Sequence, residues 1–190
     1  MKFFKLFKKI YEMGAERMCK EIGEFINRGD KILDLGCGSG ILSFQIKKKF
    51  EIEILGIDIV DNRICQIPFQ KYDGKKIPFP KDYFDVVLIS FVLHHALDPM
   101  GILKEAKRVG KKIIIFEDLP ENFLGKIRCF LHLLFWNVIS QKKTKFHFFK
   151  EKEWEKIFEK MNLKLIAKKD FNLPLSFLDP VKKKIFVLKT

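Results

Sequence analysis

The chain has 190 residues, 47% of them apolar and 32% charged, with a formal net charge of +13 at pH 7. That length suits one domain with a substantial core, and the balance is that of a soluble globular protein. No apolar run approaches the roughly 20 residues of a membrane span, and the opening Met1-Lys-Phe-Phe-Lys-Leu-Phe-Lys-Lys is broken too often by lysine to read as a signal peptide.

Residues 2–28 carry Phe3, Phe4, Phe7, Ile10, Tyr11, Met18, Ile22, Phe25 and Ile26 at roughly helical spacing, predicting a helix broken or bent near Gly14. Strands are expected at about 31–35 and 52–58. The stretch 59–82 is polar and turn-rich, punctuated by Pro68, Gly74, Pro78 and Pro80. Phe84-Asp-Val-Val-Leu-Ile-Ser90 reads as a buried strand. A helix near 98–109 then leads to a strand at 112–116. Such alternation of strand and helix argues for an α/β fold with a parallel sheet. Residues 121–140 are strongly apolar, a charged helix follows at Lys150–Met161, and two last strands at about 163–168 and 184–189 flank a loop with Pro174 and Pro180. No repeat or linker divides the chain.

The densest signal is Lys31-Ile-Leu-Asp-Leu-Gly-Cys-Gly-Ser-Gly-Ile-Leu-Ser43. A buried strand ends in Asp34-Leu35, three glycines alternate at 36, 38 and 40, and a helical pattern begins at Ile41. Glycine tolerates positive φ and lets a ligand lie against bare backbone, and this strand–turn–helix junction is where α/β sheets bind nucleotide-like ligands. Ile41 stands where the dinucleotide pattern Gly-x-Gly-x-x-Gly needs its last glycine, which disfavours a pyrophosphate at the helix N-terminus. Asp58 closes the second strand 18 residues after Gly40, the place from which an acid accepts hydrogen bonds from ribose hydroxyls.

Asp34-Leu-Gly-Cys-Gly-Ser-Gly40 resembles the first signature motif of the class I S-adenosylmethionine-dependent methyltransferases, of the type 11 kind. Tyr72-Asp-Gly-Lys-Lys-Ile-Pro-Phe79 is similar to the segment whose acid contacts the adenine amino group, and Phe84-Asp-Val-Val-Leu-Ile-Ser-Phe-Val-Leu-His-His95 to the fourth strand, which borders the methyl-transfer site. The resemblance implies a Rossmann-like fold: a mostly parallel sheet of seven, or six, strands with helices on both faces. It implies one domain over 1–190: a helical cap (1–29), a cofactor-binding core (30–118), an acceptor-side lid (119–150), and a C-terminal helix and strands (151–190). The cofactor would be S-adenosylmethionine, contacted by Asp34, Gly36, Cys37, Gly38, Gly40, Asp58, Ile59, Asp73, Gly74, Ser90 and Phe91. Only 14 residues separate Asp58 from Asp73, where the family fits a helix and a strand; here a shortened helix or an extended loop is expected.

Methyl transfer from a sulfonium needs mainly alignment and exclusion of water, with a base only where the acceptor must lose a proton. His94 and His95 are the candidates, since histidine titrates near neutrality; a packing role is the alternative. The amino-methylating Asn/Asp-Pro-Pro-Tyr/Phe motif and the Pro-Cys nucleophile are absent from the strand end, and no Asp/His cluster points to a magnesium-dependent enzyme. The segment 121–140 suits a lid over a small, apolar or aromatic acceptor such as a quinone precursor or lipid, or else a plain core helix. Trp154, Ile157, Phe158 and Met161 have core spacing, and Phe146-His-Phe-Phe149 extends the same aromatic stretch. Five of the 37 basic residues are arginine, so the charge fits genome bias, peripheral contact of the N-terminal Lys/Phe pattern with an anionic membrane, or RNA. RNA- or ribosome-directed methylation and a non-catalytic module of the same fold are the competing readings. Cys19, Cys37, Cys65 and Cys129 are scattered, which predicts reduced thiols in the cytoplasm and no metal site. Oligomeric state is left open.

Overall fold

The computed structural model describes residues 7–140, 147–174 and 181–190. Phe3, Phe4, Phe146 and Pro180, singled out above, lie outside them, as do the side chains of Leu133, Phe135 and Trp136.

Helix α1 (Lys8–Ile22) and a 3-10 turn (Gly23–Phe25) lead into β1 (Lys31–Leu35), α2 (Ile41–Phe50), β2 (Glu53–Asp58) and β3 (Phe69–Lys71). After β4 (Val86–Ser90) and a 3-10 turn at Leu93–His95 come α3 (Pro99–Val109), β5 (Lys112–Leu119), α4 (Phe123–Ser140), α5 (Glu151–Lys160), β6 (Lys164–Phe171) and β7 (Lys182–Lys189). The seven strands form one sheet in the order β3-β2-β1-β4-β5-β7-β6. All pairings are parallel except those of β7, which runs against both neighbours.

Successive residues of the central strands are buried on opposite faces, so β1, β4 and β5 are mostly apolar on both. Leu33, Leu35, Val87, Ile89, Ile113 and Ile115 pack toward α3 and α5, where Leu103, Ala106, Trp154 and Phe158 meet them. Ile32, Val86, Leu88, Ile114 and Phe116 pack toward α1 and α2 through Met18, Cys19, Ile22 and Ile46. Each such side chain contributes about 1.5–3 kcal/mol by leaving water. Local signals set the helix starts. Asp98 caps α3 by accepting from the Gly101 amide at 2.8 Å, with Pro99 at its first position. Glu153 of α5 accepts from the Lys150 amide at 2.7 Å.

Three expectations change. α1 runs unbroken through Gly14, because the stripe Ala15, Met18, Cys19 and Ile22 buries on the sheet and gives the helix no reason to bend. β5 extends to Leu119 because β7 pairs it along its whole length, from Lys112 opposite Lys189 to Leu119 opposite Lys182. β7 starts two residues early for an electrostatic reason: Lys182, Lys183 and Lys184 read as a solvated run, yet Lys183 lies 3.3 Å from Asp118 and Lys184 lies 2.9 Å from Asp170. Residues 59–68 hold no helix, and the third strand shrinks to three residues, the loop expected from the short spacing.

Because α1 is regular at Gly14, and a Cβ there would meet only Leu173 Cδ2 at an ordinary 3.7 Å, Gly14→Ala is expected to stabilise the protein by about 0.5–1 kcal/mol. Thermal or urea unfolding of the variant checks this; destabilisation would show that the helix is not continuous there.

Candidate functional site

The strand order reverses at β1, with β2 and β3 on one side and β4 on the other. In such sheets ligands bind at the carboxyl ends of the strands that flank this point. The three glycines leave β1 there. Gly36, Gly38 and Gly40 have φ of +78°, +50° and +75°, all in the left-handed region. The Gly36 and Cys37 amides donate to the Ile57 carbonyl at 2.8 and 3.2 Å, stitching the turn to β2. The three positions differ in what surrounds them. A Cβ at Gly36 would come within 2.5 Å of Val92 Cγ2, and one at Gly40 within 3.2 Å of Ile67 Cδ1, whereas one at Gly38 would meet nothing within 4 Å. Gly36 and Gly40 are therefore packing glycines, and Gly38 faces open space.

Asp34 sits in the middle of β1, flanked by Gly56 of β2 and Leu88 of β4, and is 2% exposed. Ser43 of α2 donates its hydroxyl to Oδ2; Oδ1 is buried without a hydrogen-bond partner. Burial pushes this carboxyl up to about 7, against the lowering effect of the Ser43 hydrogen bond and with a small addition from Asp58. A buried orphan carboxylate oxygen is costly unless a donor completes it. An ammonium group does so best.

Asp58 ends β2, and its Oδ2 accepts from the Gly38 amide at 2.9 Å. The acid thus lies against the open glycine, where a sugar edge would meet both. Ile59 follows, exposed, and a Cβ on Gly74 would touch its Cγ2 at 3.0 Å, so the loop bearing Asp73 and Gly74 folds beside the end of β2. The Tyr72 amide donates to the Asp58 carbonyl at 3.1 Å. Asp73 is exposed; Oδ1 accepts from the Lys75 and Lys76 amides at 2.8 and 3.0 Å, which hold its pKa below the usual carboxylate value. Oδ2 takes neither bond. Cys37 offers only backbone to the crevice: its sulfur would lie 2.8 Å from a Cβ on Gly56. Burial, then the nearby charges of Asp34 and Asp58, push that thiol well up, so it stays protonated and unreactive.

At the end of β4 the Ser90 hydroxyl is buried without a partner. Phe91 adopts φ of +57°, which turns its ring toward Phe116 and Phe171, both 6.4 Å away. Its backbone, rather than its ring, is what it offers at the strand end. His94 is 2% exposed, with Nδ1 2.6 Å from Glu117 Oε2. The other Glu117 oxygen accepts from the Leu93 amide at 3.0 Å. Burial works to lower the His94 pKa, but the charge and hydrogen bond of Glu117, with Asp118 behind it, raise it overall. The ring stacks on Phe148 at 4.9 Å, and His95 is 4.1 Å away. His94 is buried against Glu117; His95 is only half-buried.

Glu117, Ser43 and Val92 were missed from the sequence. Glu117 carried a legible signal, a charge on the inward face of an otherwise apolar strand. Ser43 and Val92 carried none.

Glycines that admit a ligand at 38, an acid at the end of β2 for a ribose, and a buried carboxylate waiting for a cation fit S-adenosylmethionine. Fold and site together define a Rossmann-like, class I methyltransferase domain. Comparison with known proteins agrees: a family model described as a methyltransferase domain matches residues 10–168, and the chain belongs to that family. It is 32% identical to the demethylmenaquinone methyltransferase of Thermotoga maritima over 115 residues, 53% of this chain and 50% of that protein. It is also 32% identical to the 2-phytyl-1,4-naphtoquinone methyltransferase of Synechococcus elongatus over 98 residues, 44% of this chain and 42% of that one. The chain thus spans half or less of the length of these relatives. A solved S-adenosylmethionine-dependent methyltransferase of Methanosarcina mazei superposes with a TM-score of 0.70 at 21% identity, covering 89% of this chain and 96% of its own, and so shares the fold. S-adenosylmethionine is the expected cofactor.

Two outcomes follow. Gly36→Ala is expected to destabilise by about 1–3 kcal/mol, since the methyl meets Val92 in a strained conformation, whereas Gly38→Ala, which adds left-handed strain but no clash, is expected to destabilise by only about 1 kcal/mol yet lose cofactor binding. Unfolding curves and titration calorimetry separate the two. The second concerns pH. The folded protein holds the Asp34 proton more tightly than the unfolded chain, so stability falls as pH rises from about 4 to about 7. A cofactor ammonium needs the ionised form, so binding is expected to strengthen with pH up to about 7 and to release a proton. Asp34→Asn should abolish this pH dependence.

Proposed function

We propose that this protein transfers a methyl group from S-adenosylmethionine to a small, lipophilic aromatic acceptor of the quinol kind. The observation that carries the cofactor half is the buried, unpartnered Asp34 Oδ1 beside the glycine turn. When bound, S-adenosylmethionine supplies an electrophilic methyl on a sulfonium. The chain's own residues then have four tasks. Asp34, ionised and held by Ser43, takes the ammonium of the methionine portion. The Ser90 hydroxyl, also buried and unpartnered, is placed at the end of β4 to receive the same portion. Asp58 accepts the ribose hydroxyls while its bond to the Gly38 amide keeps the turn against them. Ile59 and the Asp73-Gly74 turn bound the adenine, with Asp73 Oδ2 toward its amino group.

The acceptor half rests on two supports. The two relatives reported above are named for quinone-type acceptors, and the segment after helix α4 brings an aromatic ring to the turn after β4, where Phe148 stacks on His94 at 4.9 Å. His94, 2% exposed and with Nδ1 2.6 Å from Glu117 Oε2, is sealed away from an acceptor. Its place is to lock the turn after β4 to β5, and the proton-accepting role passes to His95 beside it. A phenolic acceptor loses its proton readily enough for one histidine to suffice.

Isotope-labelled S-adenosylmethionine supplied with a demethylated prenyl-naphthoquinol, and separately with RNA, tests the reading. Label is expected on the naphthoquinol. Label on RNA alone would overturn the acceptor half, and absence of cofactor binding would overturn both. Asp58→Ala is expected to weaken cofactor binding by about 2 kcal/mol or more, at least roughly thirtyfold, through loss of charged hydrogen bonds. Unchanged affinity in calorimetry would remove Asp58 from the site.

A further inference from the structure

Residues 59–68 join β2 to β3 without helix or strand, and one side chain gathers them. Arg63 donates from Nε and Nη2 to the two carboxylate oxygens of Asp61, at 2.8 and 2.7 Å. Its Nη1 donates to the Ile67 carbonyl at 2.6 Å. The guanidinium carbon lies 4.4 Å from the centre of the Phe69 ring, at the start of β3. A fork on a carboxylate, a backbone acceptor and an aromatic face together use what a planar cation has and a lysine lacks. An isolated exposed ion pair would contribute little. This side chain is 25% exposed, and its contacts tie residue 61 to residues 67 and 69, across the whole width of the loop.

So closed, the loop sits on the glycine turn. The Ile64 amide donates to the Ser39 carbonyl at 2.9 Å. A Cβ on Gly40 would meet Ile67 Cδ1 at 3.2 Å and Arg63 Cγ at 3.5 Å, while one on Gly38 would still meet nothing within 4 Å. The loop thus covers the turn at 39–40 and stops short of Gly38. At its other end the Val60 amide lies 3.4 Å from Asp58 Oδ1, the acid whose second oxygen accepts from the Gly38 amide. The opening where a ribose would meet Gly38 and Asp58 is framed by this one loop. An irregular segment that became ordered only on binding would subtract its lost entropy from the affinity. Here the contacts of Arg63 complete that ordering in the free protein.

We infer that Arg63 is a positioning residue for the adenosine half of the cofactor, acting through the loop it clasps. The inference rests on the S-adenosylmethionine reading of the site.

Calorimetry of the full chain with S-adenosylmethionine and with its demethylated product, S-adenosylhomocysteine, tests it beside amide hydrogen exchange. Arg63→Lys keeps the charge and loses the fork and the stack. It is expected to weaken both ligands about tenfold, and equally, because they share the adenosine. Asp61→Ala should weaken them by a similar factor, and the double variant by no more than either single change, since the two side chains act as a unit. Without cofactor, the Ile64 amide is expected to exchange faster in Arg63→Lys than in the parent, while the amides of β1 and β4 keep their protection. Saturating cofactor should restore protection at Ile64, a recovery that a merely broken loop would not show. Parent-like affinity in Arg63→Lys overturns the inference. So does lost protection in β1 and β4, which would make the arginine a support of the fold alone. A parent that binds neither ligand overturns the cofactor reading, and this inference with it.

Discussion

The carboxyl edge of this molecule is organised around a carboxylate sealed inside the sheet. Asp34 occupies a position in β1 where every neighbour along the strand is apolar, and burial without a full set of donors raises its pKa toward neutrality. The fold tolerates this because Ser43, one turn into α2, satisfies one oxygen. The other oxygen is the cost that a cationic ligand removes. A donor brought by a bound ligand would recover part of what desolvation took away.

That constraint fixes how closely the surrounding backbone must approach. β1 must hand directly to α2 for Ser43 to reach Asp34, and the turn between them must lie flat against β2 and the segment after β4. Gly36 accommodates Val92, and Gly56 accommodates Cys37. The compact loop of residues 59–68 then closes over the turn, with the Ile64 amide donating to the Ser39 carbonyl at 2.9 Å. A full helix would not be needed to cover so short a gap. Polar connections do the same work across the sheet: Glu117 bonds both the Leu93 amide and the His94 ring, so the turn after β4 moves only if β5 moves with it.

The outer elements answer to different forces. α5 and β7 are held by apolar burial and by lysines placed among Glu151, Asp170 and Asp118. Among the described residues of α4, Phe123, Leu124 and Phe130 are largely exposed. One molecule therefore presents a tightly packed donor half and an unburied apolar helix at the same edge.

Sequence alone determined the elements whose signal is local. The glycine spacing at 36–40, the acid ending β2, the apolar run of β4 and the helix near 98–109 each depend on neighbours within a few residues, and each appeared where its pattern placed it. The short spacing between Asp58 and Asp73 likewise disclosed a missing helix, because chain length bounds what can be built. Tertiary structure decided what depends on contacts distant in the chain. Gly14 could not reveal an unbroken helix without the sheet that buries its stripe, and Lys182–Lys184 could not read as strand without three acids from other elements. That the His94 ring is buried against a carboxylate depended on Glu117, 23 residues away. A cluster of apolar residues at 121–140 looks the same in sequence whether it is buried or not, and only the structure shows Phe123, Leu124 and Phe130 largely exposed.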